Sequence, residues 1–257
     1  MHLTLEWKSC CETENIKESG GGFLTAALVM GNAATSLAAG WVQDDLGWWY
    51  QRDDGSYPAN TWWQDEDGMW YLFDENGYIY TGCYRLVDGV LYPFLSNGMW
   101  AGTAFTDIVP GSWKGDLYTN DWSGFSITAP EGAVFQNNLD YVMLAGNSVQ
   151  EFNFLIPGST GGYVEMYYQD IGSADDMTDQ QYMSVVALAM TNLGLEVSES
   201  GSANLNGKAY TKVSSNLSGA LFMDCYFRKV GHYMENLLMV YGSGDKNAAA
   251  QIVASVR

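Results

Sequence analysis

Basic side chains are scarce in this chain of 257 residues: eleven lysines and arginines stand against thirty aspartates and glutamates, a formal charge of -19. An acidic excess of that size repels phosphate backbones and anionic headgroups, so nucleic acid and membrane surfaces are poor candidate partners. Histidine is scarcer still. Of the two, only His232 lies outside the N-terminal segment, and it follows Gly231 in a turn signal; without a second histidine, triad chemistry has no ordinary base. The four cysteines, Cys10, Cys11, Cys83 and Cys225, include no Cys-x-x-Cys pair, and no metal site is expected. Whether Cys83 and Cys225 pair once the N-terminus is removed is left open. Glycine-rich phosphate cradles are missing, and no cofactor is expected. Ser159, in Gly158-Ser159-Thr160-Gly161-Gly162, lacks the Gly-x-Ser-x-Gly spacing and a following helix. The carboxylate pairs Asp53-Asp54 and Asp175-Asp176 sit in loops, where solvated charge or calcium contact suits them better than acid–base work.

What is present in abundance is aromatic. Seven of the ten tryptophans fall between residues 41 and 100. The hydrophobic fraction of 47% is ordinary for a folded chain, and the length admits two domains. Near the start, Phe23 to Met30 forms a short apolar run, followed by small residues from Ala33 to Ala39, with Ser36 and Ala38 at the two small positions of an export cleavage site. The run is shorter than the roughly 20 residues a bilayer span needs. Residues 1–39 are therefore expected to be an export segment, with no membrane insertion after processing. The weakly basic region upstream, with Lys8 and Lys17 among glutamates, leaves the true start codon open.

From Trp41 onward the same residues return in register. Gly47, Gly68 and Gly89 are 21 apart, as are Tyr50, Tyr71 and Tyr92; Trp41 and Trp62, Trp49 and Trp70, and Gly77 and Gly98 share the spacing. A fixed period near 20 marks an array of stacked units. Turns such as Asp88-Gly89 between aromatic runs are hairpin signals, because glycine accepts the positive φ of a tight turn. One hairpin is barely stable alone, so its aromatics must stack on the next block.

The strings Gly40-Trp41-Val42-Gln43-Asp44, Trp48-Trp49-Tyr50 and Gly68-Met69-Trp70-Tyr71-Leu72 resemble choline-binding repeats, also called cell-wall-binding repeats, over residues 40–102. The resemblance implies a short β-solenoid of hairpins and an aromatic cage for a quaternary ammonium, held by ring faces because it cannot donate a hydrogen bond. Relatives of this kind also bind glycans, so the ligand stays open between choline-bearing teichoic acid and wall glycan. Carried onto this chain, the leading Trp falls on Trp41 and Trp62, and the hairpin pair on Trp49-Tyr50 and Trp70-Tyr71. The third block departs, with Cys83 where the leading Trp belongs and Leu91 for the hairpin Trp, so at most one cage is expected, between the first two blocks. The same rings also serve as inter-block core.

Residues 103–121, punctuated by Val109-Pro110-Gly111-Ser112 and Lys114-Gly115, are expected to be a linker. Strand signals follow at Phe125–Ile127, Val149–Ile156 and Tyr163–Ile171. A capping box of Thr178 and Gln181 opens a helix whose face is Tyr182, Val185, Val186, Ala189, Met190 and Leu193, closed by Gly194. Strands are expected again at Leu195–Ser198, Lys208–Ser214, Leu221–Val230 and Tyr233–Tyr241, then a helix from Asp245 to Val256. Consecutive strands between helices predict an α+β sandwich, an antiparallel sheet with covering helices, over 122–257. The Gly-Phe-Ser-Ile-x-x-Pro-Glu-Gly opening and the closing helix resemble PsbP-like domains, a mostly non-enzymatic family.

Together these features predict a non-catalytic, secreted or surface-attached protein of a Gram-positive-type bacterium, whose repeats bind choline or a wall glycan and display an α+β domain that contacts a ligand or a protein. The alternative is a wall-localised hydrolase with its active site in 122–257; a concave site converging polar groups there would favour it.

Overall fold

The computed structural model describes residues 39–136, 146–172 and 177–257. The export segment proposed for 1–39 therefore lies, but for Ala39, outside the described residues, and so does the Asp175-Asp176 pair. Among the described residues no helix is long and apolar enough to cross a membrane.

The repeats fold as three hairpins. Strand β1 (Gly40–Gln43) pairs with β2 (Trp48–Gln51), β3 (Thr61–Gln64) with β4 (Trp70–Phe73), and β5 (Cys83–Val87) with β6 (Val90–Phe94), all antiparallel. At the tightest turn, Asp88 and Gly89 have φ of 50° and 81°, the pair of positive values that a two-residue hairpin loop requires. The expected array of hairpins is present, without a ladder running continuously from block to block as a solenoid would have. Each hairpin closes its ladder on itself, apart from the short β7 (Phe105–Thr106) added to β6, and the blocks are tied by lone bonds from Ile79 N–H to Trp48 O (2.9 Å) and Trp100 N–H to Trp70 O (2.8 Å). Large rings between the blocks hold the backbones too far apart to share a ladder.

The second part is built on a seven-stranded antiparallel sheet. Its strands are β11 (Val134–Phe135), β12 (Ser148–Leu155), β13 (Tyr163–Asp170), β14 (Glu196–Leu205), β15 (Lys208–Leu217), β16 (Leu221–Val230) and β17 (Tyr233–Gly242), in the spatial order β11-β12-β13-β17-β16-β15-β14. Helix α1 (Asp179–Asn192), opened by the predicted Thr178–Gln181 capping box, covers one face, and helix α2 (Lys246–Ala254) lies on the other. The expected α+β arrangement is present, although β14 runs seven residues further than Ser198.

Two expectations need correction. The helix buries a stripe turned from the one its sequence suggested: Tyr182 and Met190 are sealed and Met183, Val186 and Ala187 are part-buried, whereas Val185 (54% exposed) and Leu193 (72%) face outward. Since α1 sits over the outer strands β14 to β16, its packed face is turned to include Met183 and Ala187 beside Tyr182, Val186 and Met190.

The stretch 103–121 is not a linker. It carries β7, then β8 (Ser112–Lys114) and β9 (Leu117–Asn120), which join β10 (Phe125–Thr128) in a three-stranded sheet. Phe105, Ile108 and Tyr118 are buried in one core with Ile127, Val149 and Leu237. Proline and glycine mark tight packing here rather than freedom: a Cβ on Gly111 would lie 2.2 Å from Tyr118 Oη. The third hairpin belongs to the same core, through Tyr84, Leu91 and Leu95. Gln150 N–H donates to Tyr84 Oη at 3.1 Å, and Tyr233 Oη donates to Thr106 O at 2.7 Å. The third block thus lost its tryptophans for a physical reason: one of its sides is the wall of the neighbouring domain, where Leu91 is fully buried. Cys83 and Cys225 are both buried and form no disulfide with each other.

Candidate functional site

The site is assembled from hairpin parity. In β1 and β2, Trp41 stands opposite Tyr50 and Gln43 opposite Trp48, so these four side chains share one face and Trp49 points to the other. The next hairpin presents Trp63, Tyr71 and Phe73 to that face. Trp41 lies 4.7 Å from Tyr71, 5.5 Å from Trp63 and 6.1 Å from Phe73, and Tyr50 lies 4.4 Å from Trp63. On the opposite side of the second hairpin the arrangement recurs one period later: Trp62 lies 5.0 Å from Tyr92 and 5.5 Å from Phe94. Tyr71 and Tyr92 therefore hold equivalent places, and the 21-residue period is a period of inter-block ring contacts.

Glycines make this stacking close. A Cβ on Gly77 would meet the Tyr57 ring at 2.5 Å, and one on Gly98 would meet Ile79 Cδ1 at 2.2 Å. Their φ values of 88° and 84° also disfavour any side chain.

Between the first and second blocks opens a pocket of about 350 Å³, lined by Trp41, Trp48, Tyr71, Ile79 and Asn97. That is the lower end of small-ligand sites. Its lining is three aromatic rings, an isoleucine and the Asn97 amide, and no lining residue is cationic. Burial, then the Asp65 carboxylate that accepts from its hydroxyl at 3.2 Å, pushes the Tyr71 phenol up to about 12, so the ring is neutral at any ordinary pH. Tyr78 Oη donates to Asp44 Oδ2 at 2.9 Å, tying the turn of block one to block two beside the site. Residues 40–102 carry ten acidic and two basic side chains, a field that favours a cation.

Of the six residues expected to form one cage, Trp41 and Tyr71 line this pocket. Trp49 does not; it packs on Tyr57 at 6.0 Å, and Tyr50 is spent on Trp63. Trp62 and Trp70 belong to the next step, with Tyr92 and Trp100, where Trp100 takes the place that the smaller Ile79 has in the first. Trp48, Ile79 and Asn97 were not foreseen. Counting alternate residues back from Tyr50 would have found Trp48, because strand parity puts it on Trp41's face.

No protein-family model matches the chain, and no curated protein matches it. Solved structures that resemble it include the pneumococcal cell-wall endolysin from phage Cp-1 complexed with choline, at 25% identity over 54% of this chain, with a TM-score of 0.24. The autolysin LytC of Streptococcus pneumoniae, in complex with a peptidoglycan ligand, is 21% identical over 37% of this chain and 26% of LytC, with a TM-score of 0.17. PsbP of Synechocystis sp. PCC 6803 is 12% identical over 57% of this chain and 97% of its own, with a TM-score of 0.36. The chain spans 38% of the endolysin's length. TM-scores this low establish no shared ligand or activity.

Proposed function

We propose that this protein is a non-catalytic, wall-associated binding protein that captures a quaternary ammonium, the choline headgroup of a wall polymer, in the pocket between its first two hairpins. The observation that carries the proposal is the convergence of the Trp41, Trp48 and Tyr71 rings on one cavity with no cationic side chain in its lining. A trimethylammonium group has no proton to donate, so hydrogen-bonding groups gain nothing from it, whereas ring faces attract it by about 1 to 2 kcal/mol each when water is displaced. Three rings then support binding near the millimolar range, where about 4 kcal/mol is needed.

Export and display at the cell surface complete the proposal, with the α+β domain held outward to meet a ligand or protein. The test is a titration of tryptophan fluorescence with choline and, separately, with tetramethylammonium. Saturable changes with both, and a higher melting temperature in their presence, are expected. An unchanged signal and melting temperature at tens of millimolar of either cation would refute the cation reading.

A further inference from the structure

The face of the large sheet that carries α1 is divided in two. Val213, Cys225 and Met234 lie beneath the helix and pack with Tyr182 and Met190. Register extends the same face onto β13 and β12, and there its character changes: Gln150, Tyr167 and Asn236 form one row, Asn153 and Glu165 the next, and Gln169 flanks them. A half-face that served only to be covered would carry apolar side chains. Instead Asn153 is 6% exposed and its Oδ1 has no hydrogen-bond partner among the described residues, an arrangement that costs stability unless something supplies a donor.

The groups around it are arranged for reception. Glu165 accepts from Gln150 Nε2 through one oxygen, and desolvation raises its carboxyl. Tyr182 Oη, from α1, stands 2.6 Å from Gln169 Oε1 and 3.1 Å from Asn236 Oδ1, fixing both amides. Tyr167 retains partial exposure on the same face, and desolvation lifts its phenol well above the ordinary range. Tyr163, Glu165, Tyr167 and Gln169 succeed one another along β13 at about 7 Å, the two-residue repeat of a strand.

We propose that this half-face is a second binding site, for a neutral, hydroxyl-rich ligand, a linear saccharide. Amides that donate and accept, together with a carboxylate that accepts, match paired hydroxyls, and phenol rings at alternate positions offer apolar faces to sugar rings. Glu165 and the acidic excess of the chain turn away anions. This site is independent of the aromatic pocket.

The experiment uses the full chain and calorimetric titration with neutral trisaccharides of glucose and of N-acetylglucosamine. Saturable binding of at least one is expected, retained in Trp48→Ala and weakened about tenfold or more in Asn153→Leu and in Tyr163→Ala. Asn153→Leu removes an orphaned acceptor, so its melting temperature is expected to hold or rise; should it fail to fold, the part-exposed Tyr163→Ala carries the test. No saturable binding up to about 10 mM overturns the proposal. So does binding that is lost in Trp48→Ala but untouched by the sheet variants, or a site that takes spermidine in place of the sugars.

Discussion

Truncating Leu91 to alanine should destabilise a domain to which Leu91 does not belong in sequence. Leu91 lies in the third repeat, is fully buried, and shares its core with Ile108, Ile127, Val149 and Leu237. Removing its three methyl-bearing carbons leaves a cavity between hairpin and sheet, at a cost of about 2 to 5 kcal/mol. For a chain of this size that corresponds to a fall of roughly 6 to 15 °C in melting temperature. Two buried thiols report on the two parts: Cys83 in the hairpin and Cys225 in the sheet. If the core is continuous, Leu91→Ala should raise the labelling rates of both by a similar factor, measured by peptide mass spectrometry after brief exposure to a thiol reagent, and the chain should melt in one transition. Faster labelling of Cys83 with Cys225 unchanged, or two separated transitions, would refute the reasoning.

Hairpin parity predicts that Trp48→Ala weakens choline binding about tenfold, while Trp49→Ala leaves it nearly unchanged, as read by fluorescence or calorimetric titration. Glu151 is sealed beneath Tyr118, which donates to it at 2.5 Å, and burial raises its carboxyl to about 7 from an ordinary 4.5. The folded state therefore binds the proton more tightly than the unfolded one, and this group's contribution to stability is full below about 4.5 and lost as pH rises toward 7, by about 1.4 kcal/mol per pH unit. Glu151→Gln should flatten that part of the stability profile, measured by urea unfolding between pH 4.5 and 8. Gly111→Ala drives a methyl into Tyr118 Oη, Tyr118 Cζ and Thr119 O, at 2.2, 2.4 and 2.5 Å, and with Tyr118 held by Glu151 it should cost about 1 to 3 kcal/mol in a thermal melt.

Much of the fold was legible because it was written in local signals. The 21-residue period located the hairpins, and the long alternating strands and the Thr178–Gln181 box located the sheet and its helix. What escaped depended on partners distant in sequence. Nothing in the string Val109-Pro110-Gly111-Ser112 says that Tyr118 needs its missing Cβ, and nothing in Leu91 says that it faces Val149 rather than another repeat. The buried stripe on α1 is turned toward Met183 and Ala187 because the helix lies over outer strands, which its own periodicity cannot reveal. At the aromatic pocket, the resemblance pointed to Trp49, whereas the lining residue of the Trp48-Trp49 pair is Trp48. Ile79 and Asn97 come from connectors whose side chains reach the site only once blocks are stacked. The polar rows on β12 and β13 required the register of three strands, two of them more than sixty residues apart along the chain.

The bonds from Tyr84 and Thr106 into the large sheet bear on mechanics. Whatever is gripped at the first hairpins pulls on side chains that are themselves part of the sheet's interior, so a load passes through packed rings and buried methyls instead of a slack tether. Under the proposed display, the α+β domain would be aimed: its strands would keep a set angle to the anchoring surface, and ligands would reach its faces from restricted directions.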